Sequence, residues 1–168
     1  MLLALTIVGL VIFCFGFVVL RGAPYVPTHK KWVDRAITLA PTTGTIVDLG
    51  CGDGVMLLAA ARAGRRSIGV ELNPVLALIA WLRTMGYRRS IQIKIGDFWR
   101  MRLPDDTSVV FVFLAGPFMH KLEAHLQREA TRLSHDVVLL SYGFQLPNLQ
   151  PEHVDGPLLR YRLQPQDA

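Results

Sequence analysis

Residues 46–54 read IVDLGCGDG. An apolar run meets Asp48 and then glycines at alternate positions, Gly50, Gly52 and Gly54, with Cys51 and Asp53 between them, before an apolar helical pattern begins at Val55. Glycine at that density permits a tight strand-to-helix turn and lets backbone N–H groups approach a ligand, because a Cβ would obstruct both. About twenty residues further on, a second apolar strand, Ser67 to Val70, ends in Glu71. A carboxylate there can accept hydrogen bonds from both hydroxyls of a ribose. Together these features predict an adenosine-containing ligand at the carboxyl ends of parallel strands. The competing reading, a glycine-rich turn that binds nothing, is weakened by Glu71 at the right distance.

Glycine spacing narrows the ligand. The dinucleotide fingerprint G-x-G-x-x-G, counted from Gly50, needs a third glycine where this chain has Val55. The observed G-x-G-x-G resembles motif I of class I S-adenosylmethionine-dependent methyltransferases, whose loop holds the amino-acid part of the donor. Asp48 would face the charged amino group of that methionine tail, a favourable place for a carboxylate.

The 168 residues leave room for one domain with a proper core. Residues 1–20, MLLALTIVGLVIFCFGFVVL, carry no charged side chain, and a helix of that length rises about 30 Å, the thickness of a bilayer's hydrocarbon core. The expected organisation is a transmembrane anchor over 1–20, a connector over 21–27 and an α/β domain over 28–168. No basic residue precedes the apolar run and no small-x-small site follows it, which argues against a cleaved signal peptide. Arg21, Lys30, Lys31 and Arg35 all lie on its C-terminal side. A single-pass protein with a cytoplasmic C-terminal domain is therefore expected, in a bacterial inner membrane or, in a eukaryote, in mitochondria.

Cys14 lies in the apolar run and Cys51 in the glycine loop, so no intrachain disulfide is expected. Cys51 reads as a small filler rather than a nucleophile. The histidines, His29, His120, His125, His135 and His153, show no metal-ligand spacing, and no metal is expected. The net charge is +5, with Arg83, Arg88, Arg89, Lys94, Arg100 and Arg102 prominent. These alternate with apolar positions as a solvated face does and lack an aromatic-interleaved motif, so no nucleic-acid partner is expected. On a tethered domain such residues can meet anionic lipid headgroups.

Alternating strand and helix patterns predict a Rossmann-like sheet with helices on both faces and right-handed crossovers. Thr28 is expected to cap a helix with Val33, Ala36, Ile37 and Ala40 on one face. Strands are expected at Thr45–Leu49, up to Glu71, Ile91–Ile95, Val109–Leu114 and Val137–Ser141, with one closing strand, Leu158–Leu163. Between them lie helices from about Asp53 to Gly64, from the Asn73–Pro74 cap to Met85, and after Pro117 through Met119, Leu122, Leu126, Ala130 and Leu133. Asp97 falls where the third strand meets its loop. There its carboxylate can accept from an adenine amino group while Phe98 or Trp99 packs on the ring.

PYVPT (Pro24 to Thr28), VDLGCGDG (Val47 to Gly54), GVELNP (Gly69 to Pro74), GDFW (Gly96 to Trp99), and GPFM with LEAHL (Gly116 to Leu126) occur in a distinctive order and spacing. The chain resembles the membrane-anchored protein lysine methyltransferases that include the ATP synthase c-subunit and adenine nucleotide translocase enzymes and their bacterial and archaeal relatives. The resemblance implies a class I methyltransferase fold, S-adenosylmethionine as donor, and a lysine of a protein, often a membrane protein, as acceptor. It implies that Asp48, Gly50, Cys51, Gly52, Asp53, Gly54, Glu71, Leu72, Asn73, Asp97, Phe98 and Trp99 form the cofactor site. Pro24, Tyr25, Val26, Pro27 and Thr28, with Gly116 and Pro117, would lie on the substrate side. Val55 stands where the family carries a basic residue, and the chain ends with one expected strand where the full fold has two.

Methyl transfer from a sulfonium is an in-line displacement that needs alignment more than acid–base power. A lysine must first lose its proton, and its reference pKa of about 10.4 has to be lowered by an apolar or cationic setting. Enzymes that methylate nucleobase amines place an Asn/Asp-Pro-Pro-aromatic motif after strand four. Here the matching residues are Ala115, Gly116, Pro117 and Phe118, without the polar head. This argues against an adenine or amide acceptor and leaves Tyr25 and Glu123 as the candidate bases. A small or lipid-linked acceptor and a catalytically silent tethered module are the alternatives.

Overall fold

The computed structural model describes residues 28–166, together with Thr6 and Gly9. Apart from those two residues, the expected anchor and connector lie outside the described residues. Among the described residues no helix is long and apolar enough to cross a membrane.

The elements are α1 (Lys30–Leu39), β1 (Thr45–Leu49), α2 (Val55–Arg62), β2 (Ser67–Glu71), α3 (Pro74–Arg83), β3 (Ile91–Ile95), β4 (Thr107–Val112), α4 (Met119–Leu133), β5 (Val137–Tyr142), β6 (His153–Asp155) and β7 (Leu158–Leu163). The strands form one seven-stranded sheet in the order β3-β2-β1-β4-β5-β7-β6. β1 to β5 are parallel, while β7 runs antiparallel to both β5 and β6. The chain order reverses between β1 and β4, so their carboxyl ends flank the crevice where open α/β sheets bind ligands.

Alternation along the strands divides the core in two. Val47, Leu49, Val110, Val112, Val137 and Leu139 face α4 through Met119, Leu122, Leu126 and Ala130. Ile46, Val109, Phe111, Val138 and Leu140 face α1 and α2 through Val33, Ala36, Met56 and Ala60. Both faces of the inner strands are therefore covered, which explains why β1 reads as a continuous apolar run broken only by Asp48. The expectation of helices on both faces holds.

Several local expectations change, among them the fourth strand, which runs Thr107–Val112 rather than Val109–Leu114. Thr28 does not cap α1; His29 is its N-cap and makes no side-chain capping bond. α3 ends at Arg83, and Met85–Tyr87 form a separate 3-10 turn. β7 does not close the sheet alone: β6 pairs with it through a two-residue connection in which Gly156 has φ 56°. β6 is only three residues long and mostly exposed, so it carries no apolar alternation. The Asp155-Gly156 pair was the available hairpin signal.

Gly69 on β2 marks the tightest packing beneath the glycine loop. A Cβ there would lie 2.5 Å from Leu57 Cδ1, 2.6 Å from Cys51 Sγ and 2.9 Å from Cys51 Cβ. Cys51 is thus a core side chain, and burial, with the Asp48 and Glu71 charges, pushes its thiol well above the ordinary range. Gly69→Ala is expected to destabilise the domain by about 1–3 kcal/mol through overpacking. A thermal melt showing no loss relative to the parent chain would contradict this packing.

Candidate active site

The glycine loop leaves β1 and enters α2 at the carboxyl edge of the sheet. Its first N–H groups continue the ladder past the strand end: Gly50 N and Cys51 N donate to Val70 O at 2.8 and 3.0 Å, and Gly54 N donates to Cys51 O at 2.8 Å. Gly52 N donates to Glu71 Oε2 at 2.8 Å. The loop therefore spends these donors on the protein, contrary to the expectation that they approach a ligand. What it presents outward is side-chain-free backbone: a Cβ at Gly50, where φ is 81°, would meet nothing within 4 Å.

Glu71 ties this loop to the next one. Its Oε2 holds Gly52 N and its Oε1 holds Asn73 N, each at 2.8 Å, in a buried position. Burial raises the Glu71 carboxyl, and the backbone N–H groups of Asn73, Gly52 and Leu72 pull it back down. Each carboxylate oxygen retains a second acceptor site, so Glu71 can position the loop and receive a ligand hydroxyl. Asn73 caps α3, its Oδ1 accepting from Val75 N at 2.9 Å and Leu76 N at 3.4 Å.

Asp48 is buried at the end of β1, where desolvation, and then the Glu71 and Asp53 charges, push its carboxyl up to about 8. Asp53, whose charge acts on Asp48, is also tied into the fold. It pairs with Arg83 at the end of α3, and its Oδ1 accepts from Val55 N at 3.4 Å, so it clamps the glycine loop to α3. Sequence reading missed this clamp because its partners are thirty residues apart.

Asp97 begins a 3-10 turn, Phe98–Arg100, and its Oδ1 accepts from Trp99 N at 3.0 Å. The Trp99 ring meets Lys121 Nζ at 4.1 Å and the His125 ring edge-on at 6.1 Å, both on α4. Trp99 is thereby committed to α4, and Phe98, 4.6 Å away centroid to centroid, is the remaining aromatic of the expected pair.

On the acceptor side, Gly116–Phe118 form a 3-10 turn after β4. Beside it stands an aromatic group that sequence reading did not single out. Phe113 packs edge-on against Tyr142 at 5.5 Å and lies 6.3 Å from Phe144. Since Leu49 pairs with Val112 and Val112 with Ser141, Gly50, Phe113 and Tyr142 occupy successive positions across three strand ends. Glu123, a candidate base, accepts from Asn148 N at 3.1 Å and so anchors the loop after β5. Tyr25, with Pro24, Val26 and Pro27, lies outside the described residues; Thr28 is half-buried.

Residues 48–153 match the family described as the ANTKMT methyltransferase domain. The chain belongs to that family. It is 33% identical over 136 residues to the ATP synthase c-subunit lysine N-methyltransferase of Homo sapiens, covering 79% of this chain and 57% of that protein. It is 37% identical over 137 residues to the adenine nucleotide translocase lysine N-methyltransferase of Mus musculus, covering 79% and 58%. This chain thus spans less than two thirds of either relative. Among solved structures, an RNA methyltransferase from Salinibacter ruber in complex with S-adenosyl-L-homocysteine superposes with a TM-score of 0.76 at 28% identity, covering 85% of this chain and 97% of that one.

The family's cofactor is S-adenosyl-L-methionine, and the site fits it. The buried Asp48 carboxyl suits a cationic amine, Gly50 leaves open space for a close ligand, and Asn73 Nδ2 is a buried donor with no hydrogen-bond partner. The methyl group it supplies is electrophilic because it sits on a sulfonium.

Proposed function

We propose that this chain is a membrane-anchored methyltransferase that modifies a lysine side chain of a protein, with Asp48, Glu71, Asn73, Asp97 and Phe98 holding the donor. The observation that carries the lysine assignment is the chemistry after β4. Ala115, Gly116, Pro117 and Phe118 offer no side-chain amide or carboxylate to orient a nucleobase amine, and the neighbouring wall is aromatic. Such a wall suits an alkyl ammonium on arrival, through its ring faces, and disfavours the charged form once water is excluded. The same residues argue against carrying over the RNA acceptor named for the Salinibacter protein. The membrane assignment rests on the uncharged run of residues 1–20 and the basic residues that follow it. It orients the domain to the cytoplasmic side of a bacterial inner membrane, or to the corresponding side in mitochondria. The lysine proton leaves before transfer, and Tyr25 and Glu123 are the groups proposed to receive it.

The test incubates the full chain with methyl-labelled donor and membranes of the source organism, then separates protein from lipid. Label in protein that survives as methyl-lysine on hydrolysis is expected; label confined to the lipid extract would replace lysine with a lipid-linked acceptor. Phe113→Ala is expected to lower transfer at limiting acceptor about tenfold, from loss of roughly 1–1.5 kcal/mol of aromatic contact, while donor binding in calorimetry stays unchanged. Equal loss of donor binding would move Phe113 into the cofactor site instead.

A further inference from the structure

A helix that is apolar on every side is ordinarily covered on every side. α3, with the sequence PVLALIAWLR, buries only Leu76, Ala77 and Ala80 against the domain. Its outward face leaves Leu78 55%, Trp81 44% and Leu82 52% exposed, and Met85 follows on the same side. Beside it, Ile95 at the carboxyl end of the edge strand β3 is 65% exposed. We propose that this face of α3, together with Ile95, docks on the surface of an anionic lipid bilayer.

Charge selects that occupant. From residue 72 to residue 96 the chain has no acidic side chain, yet it carries Arg83, Arg88, Arg89 and Lys94. Arg83 is matched by Asp53, whereas Arg88 lies over the Trp81 ring, its guanidinium carbon 4.2 Å from the centroid. Arg88 and Arg89 are exposed on this side; Lys94 is exposed too, but as the strand neighbour of Ile95 it points to the opposite face of the sheet. An apolar face bearing Trp, Leu, Ile and Met with cations at its margin matches the acyl-to-headgroup boundary, where each Lys or Arg near an anionic surface contributes about 1 kcal/mol. Arg88 stacked on Trp81 puts the charge at the headgroup end of an interfacial indole. A second copy fits less well. A two-fold contact would bring the same patch against itself and set these cations against one another without a balancing acid. The uncharged residues 1–20 would cover the apolar face but offer nothing to the cations. Ile95 precedes Asp97 by two residues, so the docked face reaches the rim of the donor site and brings that rim close to the bilayer.

The full chain, reconstituted into vesicles whose acyl chains carry bromine, reports the depth of each tryptophan by quenching. Readout through Trp81 separates this face from any binding by residues 1–20. With phosphatidylglycerol in the vesicles, most of the quenching is expected to vanish in Trp81→Phe, because Trp32 and Trp99 are half-buried in the fold. Leu82→Gln and the Arg88→Glu/Arg89→Glu pair should each reduce the Trp81 component severalfold. All four positions are exposed, so unchanged melting curves are expected and verify folding. Equal quenching of parent and Trp81→Phe would overturn the proposal, as would Trp81 quenching that is the same in pure phosphatidylcholine. Shielding of Trp81 that tracks protein concentration in detergent would assign the face to a second copy. Shielding already complete in dilute detergent would assign it to residues 1–20.

Discussion

Glu71→Ala is expected to weaken S-adenosylmethionine binding by at least a hundredfold and to destabilise the ligand-free domain at the same time. Each hydrogen bond from a ribose hydroxyl to a charged acceptor contributes about 1.5–3 kcal/mol, so losing both costs about 3–6 kcal/mol, a hundredfold or more in affinity. The stability cost has a separate origin. Gly52 N and Asn73 N both donate to this carboxylate at 2.8 Å, and truncation leaves two buried donors unmatched. At about 1–3 kcal/mol per orphaned group the loss is several kcal/mol, a large share of a domain's margin. Glu71→Gln separates the two effects. Its amide oxygen keeps one of the two backbone bonds, so more of the stability survives, while its NH2 can accept from neither a backbone N–H nor a ribose hydroxyl. Calorimetric titration beside thermal melts reads both quantities. A folded Glu71→Gln chain with the parental dissociation constant would show that the ribose lies elsewhere and that Glu71 serves only the loops.

That double role shows where sequence reasoning stops. The position of Glu71 was legible because a strand-end acid follows a glycine turn at a characteristic distance; the four inner parallel strands were legible because strands buried on both faces read as apolar runs, and the edge strand β3 because IQIKI alternates. The direction of hydrogen bonds was not legible. Glycine spacing locates the turn, but whether Gly50 and Cys51 point their N–H groups at a ligand or at Val70 O depends on how far the β1–β2 ladder continues, a property of the pairing rather than of either segment. Long-range pairs were hidden for the same reason: nothing local links Asp53 to Arg83, or Glu123 to the backbone of Asn148. The Phe113, Tyr142 and Phe144 group escaped notice because each residue alone reads as core, and only the strand register makes them neighbours. α3 presents the reverse case. Its sequence is apolar on every side, yet it leaves Leu78, Trp81 and Leu82 exposed, and that mismatch is the information.

Asp48 gives the second large effect, a proton released when the donor binds. Burial holds this carboxyl at about 8, against an ordinary value of 3.8. Between those values the folded, ligand-free chain binds a proton that the unfolded chain does not, so this group's contribution to stability falls as pH rises through the window and levels off above about 8. A cationic amine beside the carboxyl favours its charged form and reverses the balance. At pH 6.5 the ligand's amine is already charged, and binding is then expected to release close to one proton per donor bound. Affinity should accordingly rise about tenfold per pH unit from about 5 to about 7 and level off towards 8, where Asp48 ionises without help and the ligand's amine begins to lose its own proton. Titration calorimetry in buffers of different ionisation enthalpy counts that proton directly. Asp48→Asn keeps the shape of the neutral acid but cannot ionise, so proton release should disappear, the pH dependence of affinity should flatten, and the ligand-free variant should keep its stability as pH approaches 8. A binding enthalpy independent of buffer in the parent chain would mean that Asp48 keeps its proton throughout, and that the ligand's amine is held by some other group.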